Sequence, residues 1–211
     1  MQSRSYAIRP YGRKNYFGGR EMAISNKNSK LGNIPNVSLP PIKSCGNCKG
    51  CSRQCYALKA YRVYKTARNS WDSNFSMARK NPEAYFNMVR EYLGRKKPRM
   101  FRWHVSGDIL DQEYLENMKA IARDFPETGF LAFTKMYHLS YARRPKNLEI
   151  VFSAWPSTPI KRKKGINVAW VQNGSETRIP DSAIECSGHC DSCGMCWSLS
   201  KLGRDVFFHI H

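Results

Sequence analysis

The sequence predicts an α/β protein, either a partial parallel (β/α) barrel or an open sheet, with an irregular N-terminal arm and two cysteine-rich loops. Three observations lead there. Between residues 100 and 134 an alternating stretch, an amphipathic stretch and a second apolar run follow one another. That is the order of a strand–helix–strand unit, for which parallel strands and a right-handed crossover are expected. Residues 1–44 are interrupted by Gly18-Gly19, Asn33, Pro35, Pro40 and Pro41, which no helix tolerates. All eight cysteines fall into two short runs. A chain of 211 residues suits one domain. It divides into an arm (1–44), a cysteine loop (45–55), an α/β core (56–180) and a cysteine-rich C-terminal segment (181–211).

The elements follow in order. The arm carries Asn26, Asn28, Ser29 and Lys30, loop-forming residues able to touch a ligand, or it is a peripheral strap over the core. Tyr56 to Arg68 lacks Gly and Pro and reads as helix, with Lys59, Arg62 and Lys65 as one basic stripe. Its positive N-terminal end abuts the first cysteine run. Asp72 to Lys80 continues as helix. Asn81-Pro82 supplies an N-cap and a first-turn proline for the next one. Ala84, Tyr85, Met88, Val89 and Tyr92 form its inner face, and Gly94 is its expected end. Phe101, Trp103 and Val105 then alternate with Arg102, His104 and Ser106, as in a half-buried strand. Asp111 is placed to cap a helix running to Phe125, with Tyr114, Leu115, Met118, Ile121 and Ala122 inward. Phe130–Thr134, Ile150–Trp155, Ile166–Val171 and Phe207–Ile210 are further strands.

The cysteines read C-x2-C-x2-C-x3-C (Cys45, Cys48, Cys51, Cys55) and, in mirrored spacing, C-x3-C-x2-C-x2-C (Cys186, Cys190, Cys193, Cys196). Buried structural cysteines scatter through a core, so this clustering points to chemistry. Disulfides fit poorly: neighbours two residues apart are strained partners, and Met1-Gln2-Ser3-Arg4 opens no apolar signal segment. Zinc sites usually separate two C-x2-C knuckles by a longer spacer, so zinc is the alternative here, not the first reading. A cubane offers four irons, each taking one thiolate, and the first run has the bacterial ferredoxin spacing. Two features depart from that pattern: Tyr56 stands where ferredoxins place a proline, and ligands can be shared between runs. One or two 4Fe–4S clusters are therefore expected on the eight thiols. His189, inside the second run, reads as a loop residue.

The net charge of +19 stays strongly positive after the roughly four negative charges of two thiolate-bound cubanes. Such a balance favours a polyanion, DNA or RNA. The candidate contacts are Arg9, Arg13, Lys14 and Arg20, interleaved with Tyr6, Tyr11, Tyr16 and Phe17; Lys59, Arg62 and Lys65; and Lys161, Arg162, Lys163 and Lys164. Arg95, Lys96, Lys97, Arg99, Arg143, Arg144 and Lys146 form further basic clusters. No apolar run approaches the ~20 residues that cross a bilayer, so no membrane partner is expected.

In parallel α/β sheets ligands bind beyond the carboxyl ends of strands. His104, Ser106 and Asp108 occupy such an end and are the candidate catalytic residues. Gly107 would allow close backbone approach, and Asp108 would hold an amine, a ribose hydroxyl or a metal-bound water. An ordinary turn with a helix-start aspartate is the competing reading.

Several motifs carry a resemblance: Asn28-Ser29-Lys30-Leu31-Gly32, Ile34-Pro35-Asn36, Ser38-Leu39-Pro40-Pro41, Cys55-Tyr56-Ala57-Leu58-Lys59, His104-Val105-Ser106-Gly107-Asp108 and Cys196-Trp197. Together they resemble the phage gene product 88 family, over roughly residues 26–198. The resemblance implies a phage or prophage origin and the host cytoplasm, but no reaction. A looser one is to radical S-adenosylmethionine enzymes, whose partial barrel holds a cubane on C-x3-C-x2-C in an early loop. Cys186, Cys190 and Cys193 have that spacing near the wrong end of the chain, and Ser106-Gly107-Asp108 stands where those enzymes have a Gly-Gly-Glu turn. Four early cysteines would leave no iron open for the cofactor, so S-adenosylmethionine is the minor expectation.

The leading expectation is a phage iron–sulfur protein that binds nucleic acid through basic surfaces, its clusters structural or redox. The alternatives are a radical or redox enzyme modifying a nucleic acid, and a zinc-stabilised module that captures a host protein.

Overall fold

The structure, a computed structural model, describes residues 23–26, 29–46, 48, 50–156 and 158–210. Arg9, Arg13, Lys14, Arg20, Tyr6, Tyr11, Tyr16, Phe17 and Asn28 lie outside the described residues.

Eight strands are β1 (Ile24–Ser25), β2 (Asn36–Val37), β3 (Met100–Trp103), β4 (Gly129–Thr134), β5 (Leu148–Ala154), β6 (Asn167–Gln172), β7 (Ile184–Glu185) and β8 (Val206–His209). They form one open sheet in the order β1-β2-β3-β4-β5-β6-β8-β7. Only β1 pairs antiparallel; every other ladder is parallel. Of the two expected architectures, the chain thus adopts the open sheet. The helices are α1 (Tyr56–Val63), α2 (Lys65–Lys80), α3 (Pro82–Lys96), α4 (Gln112–Asp124) and the short α5 (Cys190–Cys193) and α6 (Leu199–Leu202).

Alternation along the strands divides the core in two. Phe101, Trp103, Phe130, Ala132, Ile150, Phe152 and Val168 face α2, α3 and α4. Leu131, Val151, Ala169 and Val206 face the other way, against Leu199, Trp197 and Cys196 of the C-terminal segment. Covering on both faces explains why β5 is buried at six of its seven positions, as parallel strands usually are.

The strand–helix–strand unit is β3–α4–β4, in register Met100↔Gly129. Asp111 caps α4 by accepting from the Tyr114 amide at 2.8 Å, and Asn81 caps α3 by accepting from Ala84 at 3.0 Å. Three local expectations need correction. The helix expected from Tyr56 to Arg68 breaks at Tyr64, whose backbone is extended (φ −99°, ψ 103°). Lys65 therefore starts a second helix, and the basic stripe is not one helical face. Helix α3 runs past Gly94 to a left-handed cap at Lys97, and its inner face also takes in Phe86 and Leu93. Finally, the arm is no peripheral strap along residues 34–41, which are buried. There β2 pairs with β3 in the sheet. The wholly buried Asn74 of α2 secures this placement. Its amide donates to the Ala23 and Ser38 carbonyls at 3.0 and 2.9 Å, and its oxygen accepts from the Ala23 amide at 2.8 Å.

No helix among the described residues is long and apolar enough to cross a membrane.

Candidate functional site

The first cysteine loop lies across the carboxyl ends of β3, β4 and β5. A Cβ on Gly46 would sit 2.4 Å from Met136 Sδ, just beyond β4, and one on Gly50 would sit 2.3 Å from Thr158, just beyond β5. Beyond β3, Gly107 (φ +84°) is closed over by the arm: an added Cβ would meet Ser44 Oγ at 2.4 Å and Leu39 at 2.7 Å. The close approach that Gly107 permits is therefore by the chain itself, sealed by the Leu39 amide donating to Ser106 O at 2.9 Å. Within the loop, Cys45 and Cys51 both lie against Cys48, and Cys55 adds its charge from further off. Burial pushes the Cys45 thiol up to about 12, with Cys48 and Asp108 adding repulsion. Cys55 is the N-cap residue of α1, so the expected contact between this run and a helix N-terminus is present.

The second run lies on the sheet face opposite α2–α4. The Cys186 amide donates to Phe207 O at 2.9 Å, and the Cys190 amide donates to Lys30 O at 2.8 Å, which ties the run to both β8 and the arm. All four thiols line one cleft. Burial raises Cys196 to about 12 and raises Cys190, with Arg102 opposing both shifts. All eight cysteines are unpaired and partly buried. Among the described residues no three His, Cys, Asp or Glu side chains converge as a ready single-ion site.

Arg102 lies between the two quartets, and sequence reasoning overlooked it. Its guanidinium stacks over Phe133 at 4.2 Å, and its Nε donates to Trp103 O at 3.2 Å. Burial lowers its pKa, while Tyr56, Cys190, Cys196 and Cys186 pull it back up. No carboxylate pairs with it among the described ion pairs. Tyr56 exposes most of its ring, and its hydroxyl donates to Val105 O. Burial raises that hydroxyl, and Arg102 on one side and Cys55, Cys45 and Cys51 on the other act on it. The sequence signal was slight: a cation at the outward position of β3, and a tyrosine where ferredoxins have proline.

The three strand-end candidates share a turn but point to different partners. Asp108 binds the exit of β4: Oδ1 accepts from Thr134 Oγ1 at 2.6 Å and from the Ile109 amide at 2.7 Å, and Oδ2 accepts from the Lys135 amide at 2.9 Å. Burial raises its pKa against these bonds. Ser106 Oγ is buried without a partner. His104, left-handed at φ +53°, turns into the helix-side core. Its Nε2 meets Tyr114 Oη at 3.0 Å, and Tyr114 meets Tyr85 at 2.7 Å.

Burial, with Arg102 nearby, depresses His104 to about 3, so it is neutral near pH 7. The unfolded chain takes up a proton below its ordinary value of about 6.5, whereas the fold refuses it down to about 3. Stability is therefore lost as pH falls through that window, by up to ~5 kcal/mol. Urea midpoints measured from pH 7 to 4 should show this loss. His104→Asn, which tolerates the left-handed backbone, should flatten the slope.

Among the basic candidates, Lys59, Arg62, Lys65, Lys161 and Lys164 are exposed. Arg162 is also exposed but pairs with Asp205 at 2.6 Å, and the half-buried Lys163 donates to Leu139 O at 2.5 Å. Both hold their own loop in place.

A family model described as Gene product 88 matches residues 14–199. The Gene 88 proteins of Mycobacterium phage D29 and Mycobacterium phage L5 are each 26% identical over 204 residues, covering 80% of this chain and 85% of theirs. No solved structure matches the chain significantly.

Proposed function

The chain belongs to the phage gene product 88 family, and we propose that it is an iron–sulfur protein of the host cytoplasm that engages nucleic acid. Each quartet would hold one 4Fe–4S cluster: Cys45, Cys48, Cys51 and Cys55 at the strand ends, and Cys186, Cys190, Cys193 and Cys196 on the sheet face. The observation that carries the reading is Arg102. A half-buried cation with no carboxylate partner among the described ion pairs is costly, and here three thiols of the second quartet act on it electrostatically. Deprotonated and bound to iron, those thiols supply the missing negative charge. The donor set fits as well, with four soft ligands per site in mutual electrostatic contact. When bound, such clusters supply a one-electron store or a structural staple. The chain's own residues then do three things. Arg102 balances charge on one quartet, Tyr56 links it to the other, and the Leu39–Ser44 strap shields the strand ends.

Protein purified without oxygen is expected to be brown, with about eight irons and eight sulfides per chain. A colourless protein with one zinc per quartet would overturn the reading and favour a zinc module that captures a host protein. The position of the first quartet, where parallel sheets bind ligands, favours one further reading: a radical or redox enzyme acting on nucleic acid. In the same sample, S-adenosylmethionine would then perturb the spectrum of the reduced cluster. An unchanged spectrum leaves the binding protein.

A further inference from the structure

The geometry points to a single-stranded nucleic-acid platform on α1 and the α1–α2 break, an inference that rests on the nucleic-acid reading above. From Met22 to Trp71 the sequence has nine lysines and arginines and no aspartate or glutamate. In the last third of this stretch Lys59, Arg62 and Lys65 are all exposed. Two large aromatic rings stand among these cations in the chain and face water, Tyr56 at 64% and Tyr64 at 62% exposure, with Val63 beside Tyr64 at 63%.

Neighbouring aromatics show what a structural role looks like here. Tyr61 stacks on Trp71 at 6.2 Å and donates to both Asp72 oxygens at 2.8 Å. The Tyr64 side chain has no hydrogen bond or ring contact among the described residues. It also sits at the one extended residue between the two helices, a conformation maintained by backbone bonds: Tyr64 N to Ala60 O at 2.9 Å and Arg68 N to Tyr64 O at 3.0 Å. The ring is thus presented on a fixed backbone. The hydroxyl of Tyr56 is anchored to Val105 O, which fixes that ring as well.

Exposed cations interspersed with exposed rings match the chemistry of unpaired nucleotides. Duplex bases already stack on each other and offer no free face to a tyrosine. The eight-residue rise from Tyr56 to Tyr64 is about 12 Å along a helix, room for a short run of nucleotides. The strand would begin beside Cys55 and the first quartet and end at the break.

The test is fluorescence anisotropy on full-length, anaerobically purified protein, with a short mixed-sequence oligonucleotide as single-stranded DNA, single-stranded RNA and duplex, across a salt series. Single strands should bind more tightly than duplex. Tyr64→Ala should weaken single-strand binding roughly tenfold, the size of one lost base stack, while Tyr64→Phe stays near wild type. Replacing Lys59, Arg62 and Lys65 together with alanine should lower the salt slope by about two. Because these side chains are exposed, melting curves should not move. Unchanged binding by Tyr64→Ala, or a preference for duplex, overturns the platform while leaving nucleic-acid binding by other faces intact. Wild-type protein that binds no nucleic acid at low salt, or only an acidic polypeptide, removes both.

Discussion

Replacing Cys196 with serine should halve the iron and sulfide content of the protein and loosen residues 186–198 from the sheet face. Two effects act together. Cys196 packs with Trp197 and Leu199 against Leu131, Val151 and Ala169. A serine hydroxyl there is a poor ligand for iron, and burying it unpaired costs about 1–3 kcal/mol. The loss of the bound cluster is larger. Even a single structural zinc contributes about 10–16 kcal/mol of apparent binding energy to the folding of a small finger, comparable to the ~5–15 kcal/mol total stability of a domain, and a lost cluster is expected to act on that scale. Residues 186–198 depend most on this quartet for their place. Their other ties are few, the Cys190 amide donating to Lys30 O at 2.8 Å and the Trp197 indole donating to Phe101 O at 3.3 Å among them, whereas beyond them Ser200 donates to Glu149 at 2.6 Å and β8 stays paired with β6. Protease sensitivity between residues 186 and 198 should rise sharply, with iron retained on the first quartet. Cys196→Ala separates the causes, because it keeps the site apolar while removing the ligand. It should lose iron equally but lose less stability in the metal-free protein. Full iron retention in either variant would rule out a cluster on the second quartet.

Much of the architecture is written locally. The alternation Phe101-Arg102-Trp103, the Asp111 cap and the apolar spacing of α4 identify β3–α4–β4, and Asn81-Pro82 marks the start of α3 without tertiary information. Other features come from distant contacts. Asn36 and Val37 form a buried strand among prolines because Asn74, far along the chain, ties Ala23 and Ser38 to α2. No window around residue 36 contains that information. Tyr64 has ordinary helical neighbours and no breaker, yet the helix ends there, and nothing in the sequence marks the position. The cysteine spacing made the two quartets legible. Their placement was not: one lies on the strand ends and the other on the opposite sheet face, and only the fold brings Arg102 between them. His104, Ser106 and Asp108 are adjacent in sequence and so read as one site. A single left-handed residue, His104, sends the imidazole into the core, while Asp108 is taken up by Thr134 and Lys135.

Arg102→Leu should have opposite effects on the metal-free and the loaded protein, and this contrast is the sharpest test of the charge argument. Without iron, burial protonates thiols such as Cys196 and Cys190. The guanidinium then stands half-buried without an anionic partner among the described ion pairs. Leucine, of lower desolvation cost and able to pack on Phe133, should leave stability equal or higher. With a cluster bound, the same substitution removes the cation that acts on both Cys190 and Cys196 of the second quartet. Adding an electron to an already anionic centre then becomes harder. At an effective dielectric near 20 and a separation of several ångströms, the lost attraction is about 1–3 kcal/mol. For one electron that is a fall in reduction potential of roughly 50–150 mV. Lysine at this position should recover part of the shift, since it keeps the charge but not the planar stack over Phe133. Spectroscopic redox titration of the wild type and both variants reads the effect directly. Because Tyr56 lies between Arg102 and the first quartet, the first cluster should shift in the same direction by less. Potentials unmoved by Arg102→Leu, together with unchanged metal-free stability, would mean that Arg102 balances no charge and that the thiols around it hold no anionic centre.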